Sequence, residues 1–140
     1  SSDASTIIAG AYGDDDNGST SGSAYVFNGS SWATQSKLTS SDGAASDNFG
    51  LSVTASSDGS IVTVGAPNDD DNGTNSGAAY VFSGSGWSTE TKITPYDGAG
   101  GDYFGYGHAI SSDGSTVAVG AYGDDDLGAT AGSAYAIPLE

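Results

Sequence analysis

One stretch of 18 residues occurs three times in this chain at a fixed spacing, and this repetition constrains the fold more than any other feature of the sequence. The copies begin at Gly10, Gly65 and Gly120, so the period is 55 residues, and they read GAYGDDDNGSTSGSAYVF, GAPNDDDNGTNSGAAYVF and GAYGDDDLGATAGSAYAI. The residues between the copies keep the same register, since Phe49-Gly50 returns as Phe104-Gly105. A period of this length is typical of repeat architectures, in which each copy is one supersecondary unit that needs its neighbours to bury a core.

The charge balance of the chain excludes several kinds of partner. The 140 residues include 18 acidic residues and two lysines, which gives a net charge of −16. Nucleic acids and anionic membranes are bound by clustered Lys and Arg, so neither is expected as a partner. The absence of cysteine excludes disulfides and thiolate chemistry. No apolar run approaches the roughly 18 residues that predict a spanning helix, so membrane insertion is not expected.

Short apolar runs with period-two alternation, bounded by Gly, Asp, Asn and Ser, predict an all-β protein. In the copy that begins at Phe49, the sequence predicts strands A to D at 49–55, 61–66, 78–82 and 87–94. The Asp-Gly of the SSDG sequences at 56–59 and 111–114 suits the positive φ of a tight A–B hairpin, and a longer acidic loop joins strand B to strand C. Four short antiparallel strands in about 50 residues match the size of one propeller blade.

The repeat therefore predicts about two and a half propeller-type blades in one repeat domain. Residues 1–48 hold a partial blade with strands B to D, residues 49–102 hold a complete blade, and residues 103–140 hold a partial blade with strands A to C. Propellers close with about four to eight blades, so these blades do not close a ring alone, and an unfinished blade has an edge with unpaired backbone groups. We expect either that other chains complete the ring or that the sequence is a piece of a longer protein.

The order of these motifs resembles the FG-GAP repeat of integrin α-subunit propellers. Phe-Gly at 49–50 is followed about fifteen residues later by Gly-Ala-Pro at 65–67, and then by GAAYVF at 77–82. Bacterial and algal extracellular versions, which carry a GAYGDDD-type loop, are more similar still. The resemblance covers the whole chain and implies a blade of a secreted or cell-surface protein, often in adhesion or surface architecture and rarely catalytic. One departure is the SSDGS turn, which stands where calcium-binding integrin blades have Asp-x-Asp-x-Asp-Gly, so that calcium site does not carry over.

The three Asp triplets contain nine of the 18 acidic residues. Equivalent loops of successive blades emerge on the same face of a propeller, so these charges are expected to share one rim. Ca²⁺ takes six to eight oxygen ligands, which one or two aspartates per loop would help to supply. The alternative is that the carboxylates form Asx turns with local N–H groups and are otherwise solvated. No cofactor is required, and the candidate Ca²⁺ ligands are Asp14, Asp16, Asp69, Asp71, Asp124 and Asp126.

Three sequences fit the N-glycosylation pattern Asn-x-Ser/Thr. Asn17 and Asn72 occupy one repeat position in the loop between strands B and C, and Asn28 lies in a C–D turn. Asn-Gly is also a turn signal, so each of these asparagines serves either as a glycan acceptor or as a turn residue.

The recurring aromatic residues are predicted to pack between blades, because aromatic side chains contribute strongly to core energetics. Trp32 and Trp87, near the outer strand, are the exceptions most suited to stacking on sugars. His108 stands at the repeat position of Val53 and is predicted to be non-catalytic. The rim carboxylates lack the burial that raises the pKa of a glycosidase acid, so no enzymatic activity is expected. The predicted packing residues are Phe49, Phe104, Tyr25, Tyr80 and Tyr135.

Two functions stay open from the sequence. The first is an extracellular structural module that self-associates with copies of itself through its incomplete blades, forming a ring or, if the rotation does not close, a fibre. The second is a calcium-assisted adhesion module or a glycan-binding propeller module that presents the acidic loops to its ligand.

Overall fold

The computed structural model describes residues 1–129 and 131–139, and these residues form ten strands in three antiparallel sheets. In every sheet, strands that are adjacent along the chain are also hydrogen-bonded neighbours, which is the meander of a propeller blade. The predicted all-β fold of propeller-type blades is therefore confirmed. The strands of the first sheet are β1 (Thr6–Ala11), β2 (Ser23–Asn28) and β3 (Thr34–Leu38). Those of the second are β4 (Ser52–Ala55), β5 (Val62–Ala66), β6 (Ala78–Ser83) and β7 (Thr89–Ile93). Those of the third are β8 (Phe104–Ile110), β9 (Thr116–Ala121) and β10 (Ser133–Pro138).

The hairpin between β4 and β5 is closed by the side chain of Asp58. Its Oδ1 accepts hydrogen bonds from the Ser60 N–H at 3.0 Å and from Ser56 Oγ at 2.7 Å. These bonds hold the pKa of Asp58 at about 2, and the next residue, Gly59, has a φ of 71°. An aspartate followed by a glycine therefore specifies this turn, as it does at the equivalent Asp113.

The first strand of the complete sheet is shorter than the sequence predicted. We expected strand A over 49–55, but β4 begins at Ser52. Phe49 instead forms an isolated parallel bridge with Gly22, the residue before β2, and Gly50 has a left-handed φ of 92° that turns the chain into β4. The predicted strand is shortened because a contact between sheets takes its first residues.

The last strand of the complete sheet also begins later than predicted. We expected it from Trp87, but Ser85–Trp87 forms a single 3-10 turn, and β7 begins at Thr89. The indole Nε1 of Trp87 donates to the carbonyl oxygen of Gly59 at 3.2 Å, so the turn attaches the start of β7 to the hairpin of its own sheet. Across residues 1–129 and 131–139, no helix combines the length and the apolar character that crossing a membrane requires.

Two hydrophobic cores lie in the two gaps between the three sheets. Side chains alternate along β6, so Tyr80 and Phe82 enter the first core, while Ala79 and Val81 enter the second. Each gap is thus filled from both sides, as in sheet-on-sheet packing. The buried members of the first core include Ala24, Val26, Leu38, Phe49, Val62, Val64 and Trp87, and those of the second include Phe104, Val117, Val119 and Ala121.

The Phe-Gly pairs approach the preceding sheet at glycine positions. A Cβ atom added to Gly10 would overlap the carbonyl oxygen of Gly50, and one added to Gly65 would overlap that of Gly105. A side chain at either position would force the two backbones apart. Glycine at the start of the repeated GAY or GAP motif therefore permits the close spacing of neighbouring sheets.

Candidate functional site at the acidic rim

Each acidic loop is organised by the first aspartate of its triplet. In the loop from β5 to β6, Asp69 Oδ1 accepts a hydrogen bond from the Asp71 N–H at 3.1 Å, which forms an Asx turn. The Gly77 N–H donates to the Asp69 carbonyl oxygen at 2.9 Å and closes the base of the loop. Asp70 Oδ1 accepts the N–H of Asn75 at 2.6 Å. Asp69 is therefore a structural residue whose second oxygen, Oδ2, is left for contacts outside the turn.

The acidic loops and the loops that connect successive sheets form one continuous rim, which we call the acidic rim. The Ser46 N–H donates to the Ser19 carbonyl oxygen at 2.8 Å, and the Asn68 N–H donates to the Asp47 carbonyl oxygen at 3.3 Å. The rim comprises residues 14–22, 42–48, 69–77, 97–103 and 124–129 with 131–132. The three triplets together with Asp42, Asp47, Asp97 and Asp102 place thirteen of the 18 acidic residues there.

Lys92 lies at the centre of a carboxylate cluster on the second acidic loop. Strand β7 places Lys92 opposite Tyr80 on β6. Its Nζ donates to Asp42 at 2.7 Å, to Asp69 at 2.7 Å and to Asp71 at 2.6 Å. The Tyr80 hydroxyl donates to Asp42 at 2.8 Å and to Asp69 at 2.9 Å. The ammonium group thus occupies the point at which three carboxylates converge.

Burial and ion pairing have opposite effects on the pKa values of Lys92 and Asp42. Burial disfavours the charged form of Lys92, but the hydrogen bonds to Asp42, Asp69 and Asp71 outweigh it and raise the pKa of Lys92 above its usual range. Burial likewise opposes the charge of Asp42, yet the Lys92 ammonium keeps the pKa of Asp42 below its usual value. The pKa of Tyr80 is raised by burial and by the charge of Asp69, so the hydroxyl stays a hydrogen-bond donor.

The first acidic loop has a similar but more exposed cluster. Lys37 Nζ lies 2.9 Å from Asp14 Oδ2 and also pairs with Asp16. The hydrogen bond from Lys37 holds the pKa of Asp14 at about 2. The hydroxyl of Tyr25 donates to Asp14 at 3.3 Å, and the Lys37 Nζ lies 5.5 Å from the Tyr25 ring centroid. In both loops, the lysine therefore neutralises part of the charge of the first and third aspartates of the triplet.

The third acidic loop has the carboxylates without a lysine. The Tyr135 hydroxyl donates to Asp97 at 2.8 Å and to Asp124 at 3.0 Å. The charge of Asp124, with a further contribution from Asp97, raises the pKa of Asp126. Among the residues that the structure describes, no lysine reaches this cluster. A hydrogen bond from the Asp126 N–H lowers the pKa of Asp124, but within the described residues no ammonium group offsets the repulsion among these carboxylates, unlike in the other two loops.

The candidate Ca²⁺ ligands fall into these three clusters. Oxygen atoms of Asp42, Asp69 and Asp71 lie within 4.8 Å of one another, which is a spacing that a metal ion requires. However, the Lys92 ammonium already bonds to all three carboxylates, so Ca²⁺ would have to displace it. A Ca²⁺ ion in the second loop therefore stays a prediction, and it requires the Lys92 ammonium to leave the three carboxylates. Of the other candidates, Asp14 and Asp16 pair with Lys37, and Asp124 and Asp126 lie in the lysine-free third loop.

The three sequon asparagines lie in different environments. Asn17 and Asn72 are exposed on the acidic rim. Asn28 is the last residue of β2 and is partly buried, and its Oδ1 has no hydrogen-bond partner among the described residues. Asn17 and Asn72 are thus the more accessible acceptors, and glycosylation stays a prediction.

The aromatic residues predicted to pack lie mostly at the gaps between sheets. Phe49 and Phe104 are both 0% exposed. Phe49 packs edge-on against Tyr80 with ring centroids 5.3 Å apart, and Phe104 packs in the same way against Tyr135 at 5.4 Å. Tyr25 holds the equivalent position in the first sheet, where its ring is partly exposed.

The two tryptophans differ in their availability to a ligand. Trp87 is 7% exposed and therefore cannot present its face to a sugar. Trp32 is 47% exposed, and its indole Nε1 donates to the Ala4 carbonyl oxygen at 2.9 Å. The Trp87 indole attaches β7 to the hairpin between β4 and β5, and the Trp32 indole attaches the start of β3 to the turn before β1, so the suggestion of sugar stacking is wrong for Trp87.

Among the described residues, His108 lacks the carboxylate partner of a catalytic triad. Its Nδ1 lies 2.8 Å from Ser52 Oγ, which itself donates to the Gly105 carbonyl oxygen at 2.8 Å. The Ser52 proton is thus directed away from the imidazole, and in the described part of the chain no carboxylate bonds to His108. Burial lowers the pKa of His108, and its Nε2 is buried without a partner among those residues.

Sequence reasoning missed the lysines and the second set of aspartates on the rim. Lys37 and Lys92 are the only lysines of the chain, and they recur at the 55-residue spacing, as do Asp42 and Asp97. A cation that recurs in register with an acidic loop was the available signal. The contact between Lys92 and Asp42 was not visible, because it joins residues from different repeats.

The fold and the rim define a class of protein: a propeller-type repeat protein, built from antiparallel blades that stack face to face and share one acidic rim. The FG-GAP repeat family matches the chain at residues 1–27, 32–82 and 87–137, and the second and third matches begin 55 residues apart. The chain belongs to the FG-GAP repeat family. Repeats of this family are typically extracellular and are generally non-catalytic binding or structural modules. A search of curated proteins found no significant match.

Proposed function

We propose that this chain is a non-enzymatic extracellular structural module that joins further blades of its own kind, including copies of itself, into a ring or a fibre. The main support for the proposal is the difference in solvent exposure among three residues at one repeat position. Val62 and Val117 are each 0% exposed in the gaps between sheets, whereas Ile7 is 41% exposed on the outer face of the first sheet. A face that is buried in two of three copies is an apolar surface suited to a neighbouring blade.

The outer face of the third sheet is the matching surface at the other end. Tyr106 and Tyr122 are 53% and 54% exposed there, beside Gly120 and Gly132. A second copy that places its first sheet on this face would repeat the apolar packing between successive sheets, with Ile7 at the repeat position of Val62 and Val117. Such a head-to-tail contact is heterologous, so it closes into a ring or continues as a fibre.

The strand edges support the same arrangement. By repeat position, β1 corresponds to β5 and β10 corresponds to β6, and both β5 and β6 are interior strands of the second sheet. Within the described residues, β1 and β10 are each paired on one side only. An unpaired edge offers N–H and C=O groups to an incoming strand, and its hydrogen bonds require no particular side chains.

Charge opposes this association and makes it sensitive to salt. Two chains of net charge −16 repel each other. Salt screens exposed charges over about 8–10 Å at physiological ionic strength, so assembly is expected to grow with salt concentration.

Sedimentation velocity over a range of protein and salt concentrations tests the proposal. We expect the sedimentation coefficient to rise with both, and the substitution Ile7→Lys to reduce this rise by charging the outer face of the first sheet. Ser85→Lys is the matched control, since it adds the same charge at an exposed residue in the 3-10 turn of the middle sheet. A monomer under all conditions, or an Ile7→Lys chain that assembles like the wild type, contradicts the proposal.

The alternative function, calcium-assisted adhesion or glycan binding, takes its support from the carboxylate spacing at Asp42, Asp69 and Asp71. It requires Ca²⁺ to compete with the Lys92 ammonium. Thermal melting in Ca²⁺ and in EDTA, together with a glycan array under the same two conditions, distinguishes it from the structural module. A melting temperature that rises with Ca²⁺, accompanied by glycan binding that EDTA abolishes, would favour this alternative.

A further inference from the structure

We propose that the open face and the free edge of the third sheet form a receptor for one kind of segment: a lysine-bearing strand followed, twelve residues after the lysine, by Phe-Gly. The donor of this segment is a further repeat of the same class. The inference rests on the proposed joining of blades, and it specifies which segment of a further blade binds to the third sheet.

The chain contains two such segments, and each is bound to the sheet that precedes it. In the first, β3 pairs with the edge of β2, and Lys37 on β3 binds Asp14 and Asp16. Twelve residues later, the N–H of Phe49 donates to the carbonyl oxygen of Ser21 at 3.0 Å. The segment is therefore held at three points: a strand edge, a carboxylate cluster and the backbone beside a glycine.

The second segment repeats these three contacts. Strand β7 pairs with the edge of β6, and Lys92 on β7 binds Asp69 and Asp71. After the same twelve residues, the N–H of Phe104 donates to the carbonyl oxygen of Ser76 at 3.0 Å. The two segments therefore make the same three contacts, each with the sheet that precedes it.

The third sheet has the receptor half of this unit in the same conformation. Asp124 Oδ1 accepts the Asp126 N–H at 3.2 Å, and the Gly132 N–H donates to the Asp124 carbonyl oxygen at 2.8 Å, as in the occupied loops. The outer edge of β10 is unpaired within the described residues. A Cβ atom on Gly120 would have its nearest neighbour at 3.5 Å, the carbonyl oxygen of Gly107. The Phe-Gly pairs cover Gly10 and Gly65, whereas no such pair covers Gly120 among the described residues.

The chemistry of the donor follows from this receptor. The edge of β10 accepts a strand, and the carboxylates of Asp124 and Asp126, which no lysine among the described residues reaches, favour a cation at the position that Lys92 occupies in the second sheet. The glycines of the open face admit backbone close to the sheet, as Phe-Gly provides. A folded second copy has both of its own segments bound, so it does not donate one without opening a blade.

A synthetic peptide of residues 86–107, which carries Lys92 and Phe104 at the required spacing, tests the receptor. We expect the fluorescence anisotropy of the labelled peptide to saturate at one peptide per full chain. Peptides with Lys92→Ala or Phe104→Ala should bind about tenfold or more weakly, because each lacks one anchor. No saturable binding, or equal binding by the Phe104→Ala peptide, would overturn the proposal.

Substitutions in the full chain locate the binding site. Gly120→Ala should leave the far-UV circular dichroism and the melting temperature unchanged, yet weaken peptide binding by about tenfold or more by obstructing the approach of Phe-Gly. Should this variant fold poorly, Asp126→Asn tests the lysine contact at an exposed position. Asp16→Asn is its matched control, because Lys37 already occupies that loop. Weakened binding by Asp126→Asn alone supports the proposal, and equal loss in both variants contradicts it.

The peptide-binding result and the sedimentation result can be interpreted separately. Peptide binding by a chain that sediments as a monomer supports the receptor, while it contradicts assembly from copies of this chain. Assembly without peptide binding overturns the receptor and leaves the proposed function in place.

Discussion

The Nζ atom of Lys92 lies 2.7 Å from Oδ2 of Asp69, whose side chain is only 4% exposed. The same ammonium group binds Asp42, which belongs to the loop arriving from the first sheet. One lysine therefore connects strand β7, the acidic loop of its own sheet and the junction with the preceding sheet. In a chain with two lysines and 18 acidic residues, this position gives Lys92 a large share of the favourable electrostatics.

Replacing Lys92 with methionine should destabilise the protein strongly. The variant leaves Asp69 buried beside Asp42 and Asp71 with no compensating charge. Breaking a fully buried pair costs about 3–5 kcal/mol, and we expect about 2–3 kcal/mol here because part of the lysine is solvated. Urea unfolding measures the loss. Lys37→Met is the matched control and should lose less, since its cluster is more exposed; an equal loss in the two variants would refute the special position of Lys92.

Truncation of Phe104 should weaken the joint between the second and third sheets. The ring is 0% exposed, and Phe104→Ala removes it from the second core and from its contact with Tyr135. Large-to-small changes of this kind cost about 3–5 kcal/mol. Chemical denaturation provides the measurement, with Tyr12→Ala, an aromatic residue that is 54% exposed, as the control. Similar losses in both variants would show that Phe104 does not hold the sheets together.

Replacing His108 with valine should raise stability at mildly acidic pH. Burial lowers the pKa of His108 in the folded state, so unfolding takes up a proton below the ordinary histidine pKa of about 6.5. The wild type is therefore expected to be fully stabilised above that pH and to lose stability as the pH falls through it. Val53, at the same repeat position, shows that valine fits this strand.

The measurement for His108→Val is the difference in unfolding free energy from the wild type at neutral pH and at pH about 5. The difference should grow in favour of the variant as the pH falls. A difference that stays constant would mean that His108 titrates alike in the folded and unfolded states.

The parts of the fold that sequence reasoning predicted are those set by local pattern. Period-two alternation located β5 and β6 to within one residue, and the Asp-Gly pair at Asp58 located a hairpin. These features depend on backbone preferences within a few residues, and the 55-residue period repeated each signal. The period also predicted that the sheets would need neighbours.

The parts that were missed depend on contacts between distant residues. Phe49 is not in the strand that its sequence favours, because it pairs with Gly22, the residue before β2. Trp87 similarly belongs to a turn that bonds to Gly59. The centre of the acidic cluster joins Lys92 to Asp42, 50 residues earlier, so no local spacing indicates it. The order of the blades could be predicted from the sequence, whereas the contacts that join the blades depend on the three-dimensional structure.

The central claim is that one glycine position receives the next blade, and that this position is occupied in the second sheet and open in the third. The most direct test compares the urea unfolding free energies of Gly65→Ala and Gly120→Ala. Gly65→Ala should lose about 2–3 kcal/mol, because the added methyl group overlaps the Gly105 carbonyl oxygen, whereas Gly120→Ala should stay within about 0.5 kcal/mol of the wild type or gain slightly. Equal losses in the two variants would contradict the account, since they would mean that the third position is already filled or that the second is not.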